Sequence, residues 1–155
     1  MNFDQAFDYV IGKEGGETND PDDNGGHTKF GISKKAFPDL DIASLTLEQA
    51  KQIYLREYWD KVRGDELPDG LGFLLFDCAV NQGTRTSVKF LQRALRVTDD
   101  GVIGPATIAA ANKADTNELI VNFSAERALH YASLDDFKLY GRGWIRRLIH
   151  TARIA

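Results

Sequence analysis

Leu71-Gly72-Phe73-Leu74-Leu75-Phe76-Asp77-Cys78-Ala79-Val80-Asn81-Gln82-Gly83 is apolar nearly all round from Leu71 to Val80. A helix of that composition has no polar face to offer water, so it is expected to be buried on every side, at the centre of a mainly α fold. Pro68 stands where a first turn begins, and Gly83 supplies the stop. Asp77 and Asn81 are the polar exceptions, one turn apart on one face, where unpartnered polar groups are costly. They either cap a neighbouring helix or line a cleft. Cys78 is the single cysteine, so no intrachain disulfide can form, and its apolar neighbours point to inert core packing.

Upstream of this stretch, Asn2 can cap a first helix whose Phe3, Ala6, Phe7, Val10 and Ile11 form an apolar stripe of helical period. Residues 15–31 are rich in glycine and hold a proline and five Asp or Asn residues, which predicts irregular loop and tight hairpin. Ser33 is placed to cap a short turn ended by Pro38. Thr46-Leu47-Glu48-Gln49 has capping-box order, and Leu47, Ala50, Tyr54 and Tyr58 are expected to share a face to about Lys61. Downstream, Thr84 is read as a cap, with Val88, Leu91 and Leu95 facing inward. Asp99-Asp100-Gly101 turns the chain, Pro105 opens a short helix and Thr116 a longer one through about Tyr131. A last amphipathic helix is expected over roughly 143–153, with Ile145, Leu148, Ile149 and Ala152 on one side.

With 155 residues, the chain is long enough for one compact domain, or two small lobes sharing a core. Its net charge of −4 is uneven: residues 1–60 carry −6, and no Asp or Glu follows Asp136, where Lys138, Arg142, Arg146, Arg147 and Arg153 gather. Nucleic-acid binders are usually basic over a whole face, so that class is disfavoured. The basic end is read as a solvated face, with contact to an anionic wall or envelope polymer as the alternative. No integral membrane segment is present, and Met1-Asn2-Phe3-Asp4 lacks the order of a signal peptide, so the chain is expected to stay soluble where it is made.

Chemistry centres on Lys13-Glu14-Gly15-Gly16. Glu14 falls where the first helix runs out, beside bare glycine backbone that lets something bulky approach. A carboxyl at a helix C-terminus meets the negative end of the macrodipole, which disfavours ionisation and suits a general acid. Cleaving a glycosidic bond needs such an acid and a second group across the ring; Asp20, Asp22 or Asp23 supplies one, and Thr28 adds a hydroxyl for a water. The rival reading of Asp20-x-Asp22-x-Asn24-Gly25 as a calcium loop fails at its twelfth position, Gly31. His27, His130 and His150 lack zinc spacing, and nucleophilic-serine and phosphate-loop motifs are missing, so neither metal nor cofactor is expected. Tyr58-Trp59 is read as either a sugar-stacking platform or core.

Glu14-Gly15-Gly16 followed by Asn19-Asp20-Pro21-x-Asp23-x-Gly25-Gly26-x-Thr28-Lys29-Phe30-Gly31-Ile32-Ser33 resembles the N-terminal signature of glycoside hydrolase family 108, the N-acetylmuramidase-type lysozymes common among phage endolysins. Phe76-Asp77-Cys78-Ala79-Val80-Asn81-Gln82-Gly83, Asp100-Gly101-Val102-Ile103-Gly104-Pro105-x-Thr107 and Gly143-Trp144-Ile145-x-Arg147 look like the companion peptidoglycan-binding half. The resemblance implies a lysozyme-like fold with a small Gly-rich β-hairpin lobe. It divides the chain into a catalytic lobe over 1–66 and a helical peptidoglycan-binding-like lobe over 67–155, forming one unit. It implies hydrolysis of the β-1,4 bond between N-acetylmuramic acid and N-acetylglucosamine, with Glu14 as acid and Asp23 and Thr28 assisting. Asp20, Trp59, Asp77 and Asn81 would position the glycan. Thr28 stands five residues after Asp23, where phage-type lysozymes have six, so Asp20 is kept as a substitute for Asp23. A lytic transglycosylase and a non-catalytic wall-binding protein are the alternatives. A monomer is expected, made in the host cytoplasm and reaching the wall with a holin-type partner.

Overall fold

The computed structural model describes residues 1–14, 17–18 and 27–155, and of residues 13, 14, 17 and 18 the backbone alone. Helix α1 (Phe3–Glu14) starts at Asn2, whose Oδ1 accepts from the Gln5 amide while Gln5 Oε1 accepts from the Asn2 amide. This reciprocal cap satisfies two donors that the first turn leaves open. The expected stripe faces inward: Ala6, Phe7 and Val10 are buried, with Phe3 and Ile11 at its edges.

Strands β1 (Glu17–Thr18), β2 (Thr28–Lys29) and β3 (Ile32–Ser33) form a small antiparallel sheet in that order, Thr28 pairing with Thr18 on one side and Ser33 on the other. The tight hairpin falls at Phe30-Gly31, both at positive φ (52° and 72°). That is the conformation a two-residue turn between twisted strands requires. Tyr54 Oη donates to the Phe30 carbonyl at 3.0 Å and ties this tip to the helices. Ser33 Oγ accepts from the Ala36 amide and caps a turn, although no helix follows.

Thr46 and Gln49 close the capping box ahead of α2 (Leu47–Tyr54). The chain then leaves the expected periodicity, because Leu55–Trp59 is a π turn, with the Asp60 amide bonding back to the Leu55 carbonyl. The inserted residue brings position 59 round to the side of position 54, so Trp59 enters the core; Leu47 at the other end stays exposed.

The central stretch is helix α3 (Leu71–Gln82), and every residue from Leu71 to Ala79 is buried. Around it pack α1, α4 (Thr84–Ala94), α6 (Thr116–Ala132) and α7 (Phe137–Ile154), with α5 (Pro105–Lys113) lying on α6. Two boundaries differ from expectation. Gly83, not Thr84, is the cap of α4, and Thr84 is its first residue. Helix α7 begins six residues early, at Phe137, and buries Gly141, Leu148 and Thr151 while Ile149 faces solvent. A Cβ at position 141 would sit 2.6 Å from the Phe137 ring, so this glycine is there for packing and does not end the helix.

Cys78 is fully buried, and burial is the main cause that pushes its thiol up to about 11. The folded chain is therefore expected to react with an aromatic disulfide reagent at pH 8 at least about a hundredfold more slowly than the denatured chain. Labelling rates in buffer and in guanidinium check this. Between about pH 9 and 11 the unfolded chain has released that proton and the folded chain has kept it, so Cys78 makes stability fall with rising pH in that window.

Candidate active site

Glu14 is the last residue of α1, and β1 begins three positions later. Two glycines stand between the helix and the sheet in sequence, and Thr18 of β1 pairs with Thr28 of β2. The Glu14 side chain, and Asp20, Asp22 and Asp23 altogether, lie outside the described residues. Thr28 is half-buried on the central strand of the sheet.

A buried ionic cluster lies among α3, α6 and α7. Asp77 on α3 is 0 % exposed, and its Oδ2 accepts from Arg127 Nη1 of α6 at 2.7 Å. Its Oδ1 accepts from Nε and Nη2 of Arg147 on α7, at 3.0 and 2.8 Å. Arg127 Nε reaches Gln82 Oε1 at 2.7 Å, and its guanidinium lies 5.5 Å from the Tyr131 ring centroid, with Tyr131 stacked in turn on Trp144. One carboxylate therefore joins three helices. Charges taken out of water need such partners, and the cluster is paired through Asp77 and Gln82 while Arg127 Nη2 and Gln82 Nε2 are buried with no hydrogen-bond partner. Burial alone would lower the pKa of Arg127, and the field of Cys78, Asp77 and Tyr131 with the Asp77 hydrogen bond holds it above the usual arginine value.

Tyr9, on α1, connects this cluster to the helix that ends in Glu14. Its ring meets Phe73 edge-on at 5.2 Å and lies 6.0 Å from His150. Burial raises its phenol pKa, Asp77 adds to the rise, and Arg147 and Arg127 oppose it. A groove of about 420 Å³ opens on this side of α7, lined by Gly143, Arg146, Arg147 and His150.

Two of the expected glycan contacts are corrected. Trp59 is 2 % exposed, with Phe3 and Phe76 on its rings at 5.6 and 5.7 Å and its Nε1 donating to Asp65, so it has no face for a sugar. The π turn is the cause. Asp77 is fully buried and so presents no surface to a glycan; its carboxylate holds Arg127 and Arg147 instead. Asn81 is exposed on the same helix face, its Nδ2 donating to the Asp77 carbonyl at 2.7 Å. Sequence reasoning grouped Arg147 with the solvated arginines and placed Arg127 only along the helix opened by Thr116, so it missed the pairing of both with Asp77. The available signal was the lone Asp in an apolar helix, which needs a cation that the helix itself lacks. Among the described residues no group of three His, Cys, Asp or Glu is placed to hold a metal, and no helix is long and apolar enough to cross a membrane.

The family model described as Glycosyl hydrolase 108 matches residues 7–83, and the one described as Predicted Peptidoglycan domain matches residues 86–149. Among solved structures, 12 chains match. One of them, titled "Structure of Brucella abortus SagA", is 33 % identical, with a TM-score of 0.87 over 97 % of this chain and 91 % of that one. No curated protein matches.

Proposed function

The chain belongs to the glycosyl hydrolase 108 family and is a glycoside hydrolase acting on peptidoglycan, and from that premise we propose that it cleaves the β-1,4 bond between N-acetylmuramic acid and N-acetylglucosamine with Glu14 as general acid. The fold is mainly α and lysozyme-like. The observation that carries the reading is the place of Glu14, at the last residue of α1 and two glycines ahead of the sheet. A proton donor there stands at the junction of the helical and sheet lobes.

In this reading Glu14 protonates the departing glycosidic oxygen as the C–O bond breaks. Positive charge then grows on the ring carbon and its ring oxygen, and Asp23, or Asp20 in its stead, steadies that charge or directs a water, with Thr28 Oγ1 holding the water. Asn81 offers an exposed amide to the glycan. Arg147 is held by Asp77 so that its position does not drift between turnovers. The lobes over 1–66 and 67–155 act together as catalytic and wall-binding halves. The biological role consistent with this chemistry is that of an endolysin: a monomer made in the bacterial cytoplasm that reaches the wall once a holin-type partner has opened the membrane.

The reading is tested by the mass of the released muropeptides. Hydrolysis adds one water across the broken bond and leaves a reducing muramic acid, and that product is expected. An anhydro-muramic product, lighter by one water, would replace hydrolysis by lytic transglycosylation, and intact glycan would leave only wall binding.

A further inference from the structure

Helix α7 presents to solvent a face that neither the core nor the proposed chemistry uses. Its buried side is Gly141, Leu148 and Thr151. On the outward side Arg142, Arg146, Ile149 and Arg153 follow one another at i, i+4, i+7 and i+11, one continuous stripe over about 16 Å of the 18-residue helix. Leu139 is 76 % exposed and Ile149 64 % exposed on that stripe. A shallow groove of about 430 Å³ runs between its side chains, walled by Ile145 and His150. After Asp135 and Asp136, which precede the helix, the chain carries no further acid, while residues 1–60 hold a balance of −6.

We propose that this face docks the protein on an anionic lipid bilayer, the helix lying in the plane of the surface. The three guanidinium groups meet lipid phosphates, which they pair with in fork geometry. Leu139 and Ile149 settle at the boundary between headgroups and acyl chains. Both kinds of residue are needed to choose the occupant. An anionic polysaccharide would neutralise the arginines and leave two large aliphatic side chains in water, whereas a bilayer interface takes up both. The asymmetry of charge orients the molecule, since the acidic N-terminal part is repelled from the surface that attracts α7. This goes beyond the hydrolytic reading and does not depend on it.

The test is flotation of the full chain with vesicles rich in phosphatidylglycerol and with neutral phosphatidylcholine vesicles, an assay in which no glycan is turned over. The chain is expected to float with the first and not the second, and to be released as salt rises and the Debye length shrinks. Replacing Arg142, Arg146 and Arg153 together by Gln is expected to lower the partition coefficient roughly a hundredfold, about fivefold for each charge. The pair Leu139→Asn and Ile149→Asn, which leaves the charge unchanged, is expected to lower it about tenfold. Both sets lie on exposed positions, and far-UV circular dichroism confirms the fold. Equal flotation with neutral vesicles, or an unchanged coefficient in either variant, overturns the proposal. If vesicles fail while an immobilised anionic polysaccharide retains wild type and the Asn pair alike, the occupant is a wall polymer and the membrane assignment is wrong.

Discussion

Glu14→Gln is expected to slow the clearing of purified peptidoglycan by about 10²–10⁴-fold, the range that one positioned general acid contributes. The change keeps the size and hydrogen-bonding capacity of the side chain and removes only the transferable proton. Binding of the wall should therefore survive, and a pull-down with insoluble peptidoglycan is expected to retain variant and wild type equally. The reason for choosing Glu14 over the chain's other acids is its place as the last residue of α1, two glycines ahead of the sheet in sequence. Clearing at the wild-type rate would remove Glu14 from catalysis. Loss of both clearing and wall retention would mean that the residue shapes the fold or the binding surface instead.

The second large effect concerns stability. Asp77→Asn leaves Arg127, itself fully buried, without a countercharge, and breaking a buried pair in this way costs about 3–5 kcal/mol. For a chain of this length that is a fall in melting temperature of roughly 10 °C, measurable by calorimetry. Replacing both partners, Asp77→Leu with Arg127→Met, is expected to cost less than the sum of the two single changes, because no uncompensated charge then stays in the core. Arg147 is only partly covered and can turn toward water in that double variant. Its stability should recover while kcat stays below the wild-type value, as is also expected for the single Asp77 variant, since no carboxylate then holds the Arg147 guanidinium in place. Recovery of both would reduce the cluster to scaffolding, and recovery of neither would mean that the ionic pair stabilises the core more than apolar packing can.

Much of the fold was legible in local sequence. Asn2 with Gln5 and Thr46 with Gln49 fix where two helices begin, because the donors of a first turn must find acceptors and these side chains are next to them. Pro105 at the start of α5 follows from backbone geometry of a few residues, while a hairpin within residues 15–31 was legible but its turn at Phe30-Gly31 was not. The π turn at Leu55–Trp59 was not legible. Its single inserted residue leaves no mark in composition, yet it moves Trp59 from a candidate sugar platform to the middle of an aromatic cluster with Phe3 and Phe76. The early start of α7 was hidden for a related reason. Gly141 reads as a breaker until the Phe137 ring is seen lying where its Cβ would be.

The sequence by itself determined that the stretch from Leu71 forms a buried central helix, and it is buried from Leu71 to Ala79, since a segment with no polar face can satisfy both its backbone and its side chains only inside a core. It also determined that Asp77 in that helix needs a partner. Which partner was settled by tertiary structure alone: Arg127 and Arg147 stand 50 and 70 residues further along the chain, and only the crossing of α3, α6 and α7 brings two guanidinium groups to one carboxylate. Hydrogen bonds within a turn are specified by neighbours in sequence. The pairing of a buried charge is specified by whichever helices happen to close over it.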